Sequence, residues 1–228
     1  YKGTEVEVAH SDRPEIDRWI LSRMHTIAAE MHAAFEALEP TKAVRLLQNF
    51  VTDELSNWYV RLNRQRFWKG DLNDDKLSAY QTLAICLKTC AILGSPIAPF
   101  FMDRLYRDVN EGLGVLREGA ENSVHLADFP KADESIIDKE LEIRMELARK
   151  LSSQVLSLRK REMIRVRQPL RRIMVPVLDD QSAQRLAAIE DLIRTEVNVK
   201  EVEVIRDGGG IVKSIKPDFK VLGPRYGK

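Results

Sequence analysis

Apolar residues recur at steps of three and four through the first part of the chain. Ile16, Ile20, Met24, Ile27, Met31, Phe35 and Leu38 form one continuous stripe. That spacing predicts an amphipathic helix about seven turns long. Asp12-Arg13-Pro14-Glu15 reads as its start. The aspartate caps, the proline suits the first turn, and Glu15 completes a capping box. Glu39-Pro40 ends this helix, and Thr41 is the expected cap of a second one running to about Gly70. After the break at Asn73-Asp74-Asp75, Leu77, Tyr80, Ala84, Leu87 and Ala91 mark a third helix. Gly94-Ser95-Pro96 and Pro99 interrupt the pattern, and Phe100 to about Asn110 forms a fourth. Residues 111–137 lack periodicity and read as a loop that crosses the bundle. A fifth helix runs from about Asp138 to Glu162, with Leu141, Met145, Ala148, Val155 and Leu158 roughly on one side.

The pattern then changes. RRIMVPVL is rich in branched apolar residues and reads as a strand. Gln181 to about Thr195 suits a short helix, and VEVIRD-GGG-IVKSI suits a hairpin with glycines in its turn. Long helices with short connections favour an antiparallel bundle. The expected fold is therefore mainly α: a helical bundle over 1–162, followed by a small α/β domain over 163–228.

Composition adds limits. An apolar fraction of 44% in 228 residues is ordinary for a chain with a sizeable core. No apolar run approaches the ~20 residues of a membrane span, so no membrane role is expected. The N-terminus carries no signal-peptide pattern and no initiator methionine. An excised fragment is the expectation. Cys86 and Cys90 are four apart in an apolar helical pattern. Core packing is expected for them, in a reducing, cytoplasmic setting.

The net charge of +1 hides local clustering. Arg61 to Lys69 holds four basic residues and no acidic one. Arg159 to Arg172 holds seven basic residues against Glu162 alone, and Lys216 to Lys228 holds four against Asp218. Such clusters in a neutral chain suggest directed basic patches. The first cluster lies in ELSNWYVRLNRQRFWKG, residues 54–70. At 100° per residue, Val51, Leu55, Trp58, Tyr59 and Leu62 share a core-facing sector. Asn57, Arg61, Arg64 and Trp68 form a narrow stripe on the other side. Arginine and tryptophan on one exposed stripe suit phosphates and unstacked bases, and equally suit a solvated face.

No catalytic or metal constellation assembles. His10, His25, His32 and His125 are scattered, and neither HExxH nor paired-cysteine zinc spacing occurs. The glycines at 208–210 read as a turn. LGPRYGK lacks the glycine spacing and the Ser or Thr of a phosphate-binding loop.

DRWILSRM (Asp17 to Met24), EPTKAV (Glu39 to Val44), DELSNWYVRLNRQRFW (Asp53 to Trp68), GSPIAPF (Gly94 to Phe100), SVHLADFP (Ser123 to Pro130), VRQPLRRI (Val166 to Ile173) and KVLGPRYGK (Lys220 to Lys228) occur in this order. Together they resemble the C-terminal region of isoleucyl-tRNA synthetases, of the long type found in some bacteria and in eukaryotic cytoplasm. The resemblance covers nearly the whole chain. Single pieces such as SPIAPF are shared with the valyl, leucyl and methionyl enzymes. The resemblance implies an anticodon-binding bundle followed by the start of a C-terminal junction region. The family's HIGH and KMSKS signatures and its editing domain are absent from the sequence. It therefore implies a tRNA-binding part that is inactive alone and holds no cofactor. The parent ligase, with its catalytic and editing domains, uses ATP and Mg2+ to charge isoleucine tRNA. Arg61, Arg64 and Trp68 are the first candidates for tRNA contact, followed by Arg104 and Arg107. Arg165 and Arg167, with Arg171 and Arg172, form a second candidate patch. The alternatives are the same region of the valyl or leucyl enzyme, or a helical protein-interaction module.

Overall fold

The structure is a computed structural model that describes residues 7–113, 123–177 and 179–206. Helices dominate: α1 (Glu15–Glu36), α2 (Pro40–Asn49), a π-helical stretch (Phe50–Val60), α3 (Arg64–Trp68), α4 (Asp74–Gly94), α5 (Pro99–Gly112) and α6 (Lys139–Arg161). Strand β1 (Leu170–Pro176), helices α7 (Asp180–Ala188) and α8 (Glu190–Val197), and strand β2 (Val199–Ile205) follow. The chain forms two compact units, 1–150 and 151–228, so their division falls inside α6 rather than at residue 162.

In the first unit α1 packs against α2, the π-helical stretch and α4. Ile20, Met24, Ile27 and Met31 of the stripe are buried, whereas Leu38 is 87% exposed. Leu38 adopts a left-handed backbone with φ 57°, which stops the helix there. The expected capping box does not form. Asp12 lies in a short 3-10 turn, and Pro14 occupies the cap position with no side-chain bond. Thr41 caps nothing either: Pro40 opens α2 after Glu39, its fixed φ suiting a first helical turn.

The second helix departs most from a regular 100° pattern. In a π-helix the i→i+5 bonding widens each turn. Phe50, Leu55 and Tyr59, spaced five and four apart, are buried, while Val51, expected in the core, is 38% exposed. Helix α4 is long and apolar enough to cross a membrane by length and composition alone, contrary to expectation. It is nonetheless 56% buried over its apolar stretch. Cys86 and Cys90 sit in its core face as free thiols. Burial pushes the thiol of Cys90 up to about 12, and that of Cys86 up as well.

The first half of α6 belongs to the bundle core. Leu141, Met145 and Ala148 are buried, and Glu142 accepts hydrogen bonds from Ser22 and Thr26 of α1, both at 2.7 Å. Burial opposes the ionisation of Glu142. Bonds from Ser22, Thr26 and Lys139 and the charge of Arg23 outweigh it and hold its pKa below the ordinary value.

Of the crossing loop, residues 114–122 lie outside the described part. The remainder runs from α5 to α1. Ser123 Oγ and the Val124 N–H donate to Asp103 at 2.8 and 2.9 Å. Phe129 meets Phe35 edge-on, and the Asp133 N–H donates to His25 Nδ1 at 3.0 Å. That acceptor nitrogen must be unprotonated. Burial lowers the pKa of His25, helped by His10 and opposed by Asp133. Burial also lowers that of His10, helped by Arg13 and Arg18 and again opposed by Asp133. Both groups bind protons less readily folded than unfolded. The unfolded chain therefore gains protons first as pH falls below about 6.5, and stability present above that value is lost on further acidification. We expect the urea midpoint of the first unit to drop between about pH 7.5 and about pH 5.5, a window above most carboxylate titration. His25→Gln should flatten the drop; an unchanged slope would show that this bond does not sense pH.

In the second unit β1 and β2 pair in parallel, Leu170 opposite Val199 and Val175 opposite Val204. The connection through α7 and α8 makes this a β-helix-β unit, as parallel strands require. The expected hairpin is thus corrected: β2 pairs with β1, and the hairpin's other arm, with the glycines at 208–210, lies outside the described residues. The expected single helix is two, broken at Ile189.

Candidate nucleic-acid interface

The candidate surface is the outward side of the π-helical stretch and the short α3 that follows. Arg61, Arg64 and Trp68 are all exposed, Trp68 to 80%. Arg61 donates from Nε to the Asn57 carbonyl at 2.8 Å, and its guanidinium lies 5.7 Å from the centre of the Trp58 ring. Trp58 itself is buried, as expected from its sector. Its indole N–H has no partner among the described residues. Arg64 makes no ion pair among the described residues, so its charge is not offset there. An aromatic plane beside guanidinium groups is the combination that stacks unpaired bases and pairs phosphates.

This surface rests on a buried clamp. Arg66, on the same short helix, turns inward. It donates to both carboxylate oxygens of Asp17 at 2.8 and 3.0 Å, to Asn63 Oδ1 at 2.8 Å, and to the Asp75 carbonyl at 2.8 Å. Asp17 is fully buried and also accepts from Tyr59 at 2.9 Å and Ser78 at 2.6 Å. Phe67 wedges between the Tyr59 and Tyr80 rings, and the Tyr80 hydroxyl donates to the Phe67 carbonyl at 3.0 Å. The five residues of α3 are too few to hold a helix unaided. The bidentate pair and ring contacts fix its angle, and with it the direction of Arg64 and Trp68.

Arg104 and Arg107 stand on the exposed side of α5, but each is paired. Arg104 binds Asp108 at 2.9 Å and Arg107 binds Asp103 at 2.8 Å. An open cleft of about 550 Å³ in the same unit is lined by Arg23, Lys139, Arg149 and Lys150 together with Glu54, Glu142 and Glu146. Each of its four cations is ion-paired with one of the three carboxylates.

Residues 17–174 match the family described as the anticodon-binding domain of tRNA ligase. The chain belongs to this family. It is 54% identical, over 98% of its length, to an isoleucine–tRNA ligase of Cytophaga hutchinsonii, and 52% identical, over its whole length, to that of Bacteroides thetaiotaomicron. An isoleucine–tRNA ligase of Thermus thermophilus is 37% identical over 95% of it. The chain spans about a fifth of the length of these curated relatives, 20% of the first and 19% of the second.

Within this anticodon-binding domain, the second basic patch lies in the second unit. Arg165 and Arg167 are exposed on the loop between α6 and β1. The buried Arg159 holds that loop, donating to the carbonyls of Arg165 at 3.1 Å, Gln168 at 3.0 Å and Asn198 at 2.9 Å. Arg171 is exposed, whereas Arg172 pairs with Glu203 at 2.7 Å. Sequence reasoning did not separate Arg66 and Arg159 from the arginines that face outward. Arg66 did fall outside the Arg61, Arg64, Trp68 stripe, which was the available signal. Asp17 carried none, because its partners come from three segments distant in sequence.

Proposed function

We propose that this chain is the anticodon-binding part of an isoleucine–tRNA ligase. It grips the anticodon arm of isoleucine tRNA, and the catalytic and editing parts of the ligase carry out ATP- and Mg2+-dependent charging. The observation that carries this reading is identity above one half, over nearly all of the chain, to isoleucine–tRNA ligases within a family of anticodon-binding domains. The exposed stripe supports it chemically. An anticodon loop offers splayed bases, which stack on a plane such as Trp68, and phosphates, which pair with Arg61 and Arg64. Arg165 and Arg167 give the second unit a basic surface of its own for RNA phosphates. The setting we propose is cytoplasmic, in keeping with two free, buried cysteines.

The test is a titration of the full ligase with isoleucine tRNA and with a transcript whose anticodon loop is exchanged for that of another tRNA. The exchange should weaken binding by about tenfold or more, equivalent to about 1.4 kcal/mol. Equal binding of both transcripts would refute anticodon reading by this chain.

A further inference from the structure

The loop between α6 and β1 has its carbonyls occupied from the inside. A turn closes within it, the Gln168 N–H donating to the Arg165 carbonyl at 3.0 Å. Neither Val166 nor Arg167 has a positive φ, so the turn is of type I. Arg159, 2% exposed, donates to the carbonyls of Arg165 and Gln168. The Asn198 side chain donates to that of Val166 at 2.9 Å. A trans peptide points its N–H opposite to its C=O, and no cis peptide occurs among the described residues. With the carbonyls of Arg165 and Val166 drawn inward, the N–H groups of Val166 and Arg167 face outward. Neither has an acceptor among the described residues. Both residues are exposed, as are Arg165 and Arg171, and residues 163–171 include no carboxylate.

We infer that this turn is a preformed seat for a phosphate of the RNA backbone, with the Val166 and Arg167 N–H groups as its donors. The inference rests on the function proposed above. Successive free N–H groups in a turn attract anions, and the guanidinium groups of Arg165 and Arg167 add charge beside them. Arg159 is the positioning residue. Being buried, it acts through the loop: by holding the inward carbonyls it fixes which way the N–H groups point. An exposed turn encloses no small anion, which favours a phosphate delivered on a polymer. Backbone donors read no base, so the seat is indifferent to RNA sequence.

Val166→Pro in the full ligase tests the seat. Proline fits the second residue of a type I turn, so the loop keeps its shape and loses one N–H. Affinity for isoleucine tRNA should fall about fivefold or more. No cation is removed, so the log–log salt slope should stay nearly constant. Arg159→Lys lacks the planar fork that reaches three carbonyls, and should lower affinity and slope together as the arginines lose their places. Parent-like affinity in Val166→Pro overturns the inference. A slope that falls in Val166→Pro reports displaced arginines rather than a lost N–H, and overturns it as well. Hydrogen exchange separates the sources of phosphate. The Val166 and Arg167 amides should slow on addition of tRNA; equal slowing by inorganic phosphate alone assigns the seat to a free anion and overturns the RNA assignment. The ligase reading is judged separately, by the anticodon-loop exchange in the unsubstituted enzyme. The Val166→Pro loss should be the same for both transcripts, so the two ideas fail independently.

Discussion

Replacing Arg66 by alanine should destabilise the helical unit by about 3 kcal/mol, because it leaves the fully buried Asp17 carboxylate without its cation. The Arg66 side chain is only 17% exposed, so solvent screens the pair weakly. With a urea dependence of about 1–3 kcal/mol per molar, the midpoint should fall by about 1–3 M. Arg66→Lys keeps the charge but loses the fork that spans both oxygens of Asp17, and should fall between the two. Tyr59 and Ser78 still donate to Asp17 in either variant, which keeps the loss below that of a wholly unpartnered charge. A midpoint shift under about 0.3 M for the alanine variant would mean that α3 is held by its rings alone.

The second large effect is on RNA binding. Arg61→Glu with Arg64→Glu should change stability by only about 0.5 kcal/mol per site at most, since both side chains are exposed. On the function proposed above, the same pair should weaken tRNA binding by roughly 1 kcal/mol or more per site, through lost pairing and new repulsion. Alanine at each position should also reduce the log–log salt slope by about 0.7 to 0.9 per lost phosphate contact. Trp68→Ala should behave differently. Loss of a stacked base costs about 1–3 kcal/mol and leaves the slope nearly unchanged. A titration at several salt concentrations, with thermal melts as the folding control, separates these outcomes. Unchanged affinity in a folded double-glutamate variant would make the stripe a solvated face and direct attention to Arg165 and Arg167.

The two predictions concern neighbours in sequence with opposite roles, and that contrast shows what a sequence carries. The stripe was legible because a helix projects residues at nearly fixed angles, so Arg61, Arg64 and Trp68 separated from Leu55, Trp58 and Tyr59 by arithmetic alone. Small departures in backbone geometry spoiled the arithmetic locally. The π-helical turns moved Phe50 inward and Val51 outward, a shift no apolar count predicts. The capping expectations at Asp12 and Thr41 failed for a related reason: proline took the entry to each helix.

By itself the sequence determined the helical bundle, the change to a small α/β unit, the buried cysteines and the outward basic stripe. These follow from periodicity and composition, which act over a few turns of chain. Only the tertiary structure decided which arginines are structural. Arg66 and Asp17 are 49 residues apart, and Arg159 holds a carbonyl 39 residues away. Tertiary structure also paired β2 in parallel with β1, and left Phe100 and Phe101 bare at the head of α5. Each of these depends on groups brought together from distant segments. Burial then fixes their partners, because a charge or strand edge removed from water must find its match wherever the fold puts one.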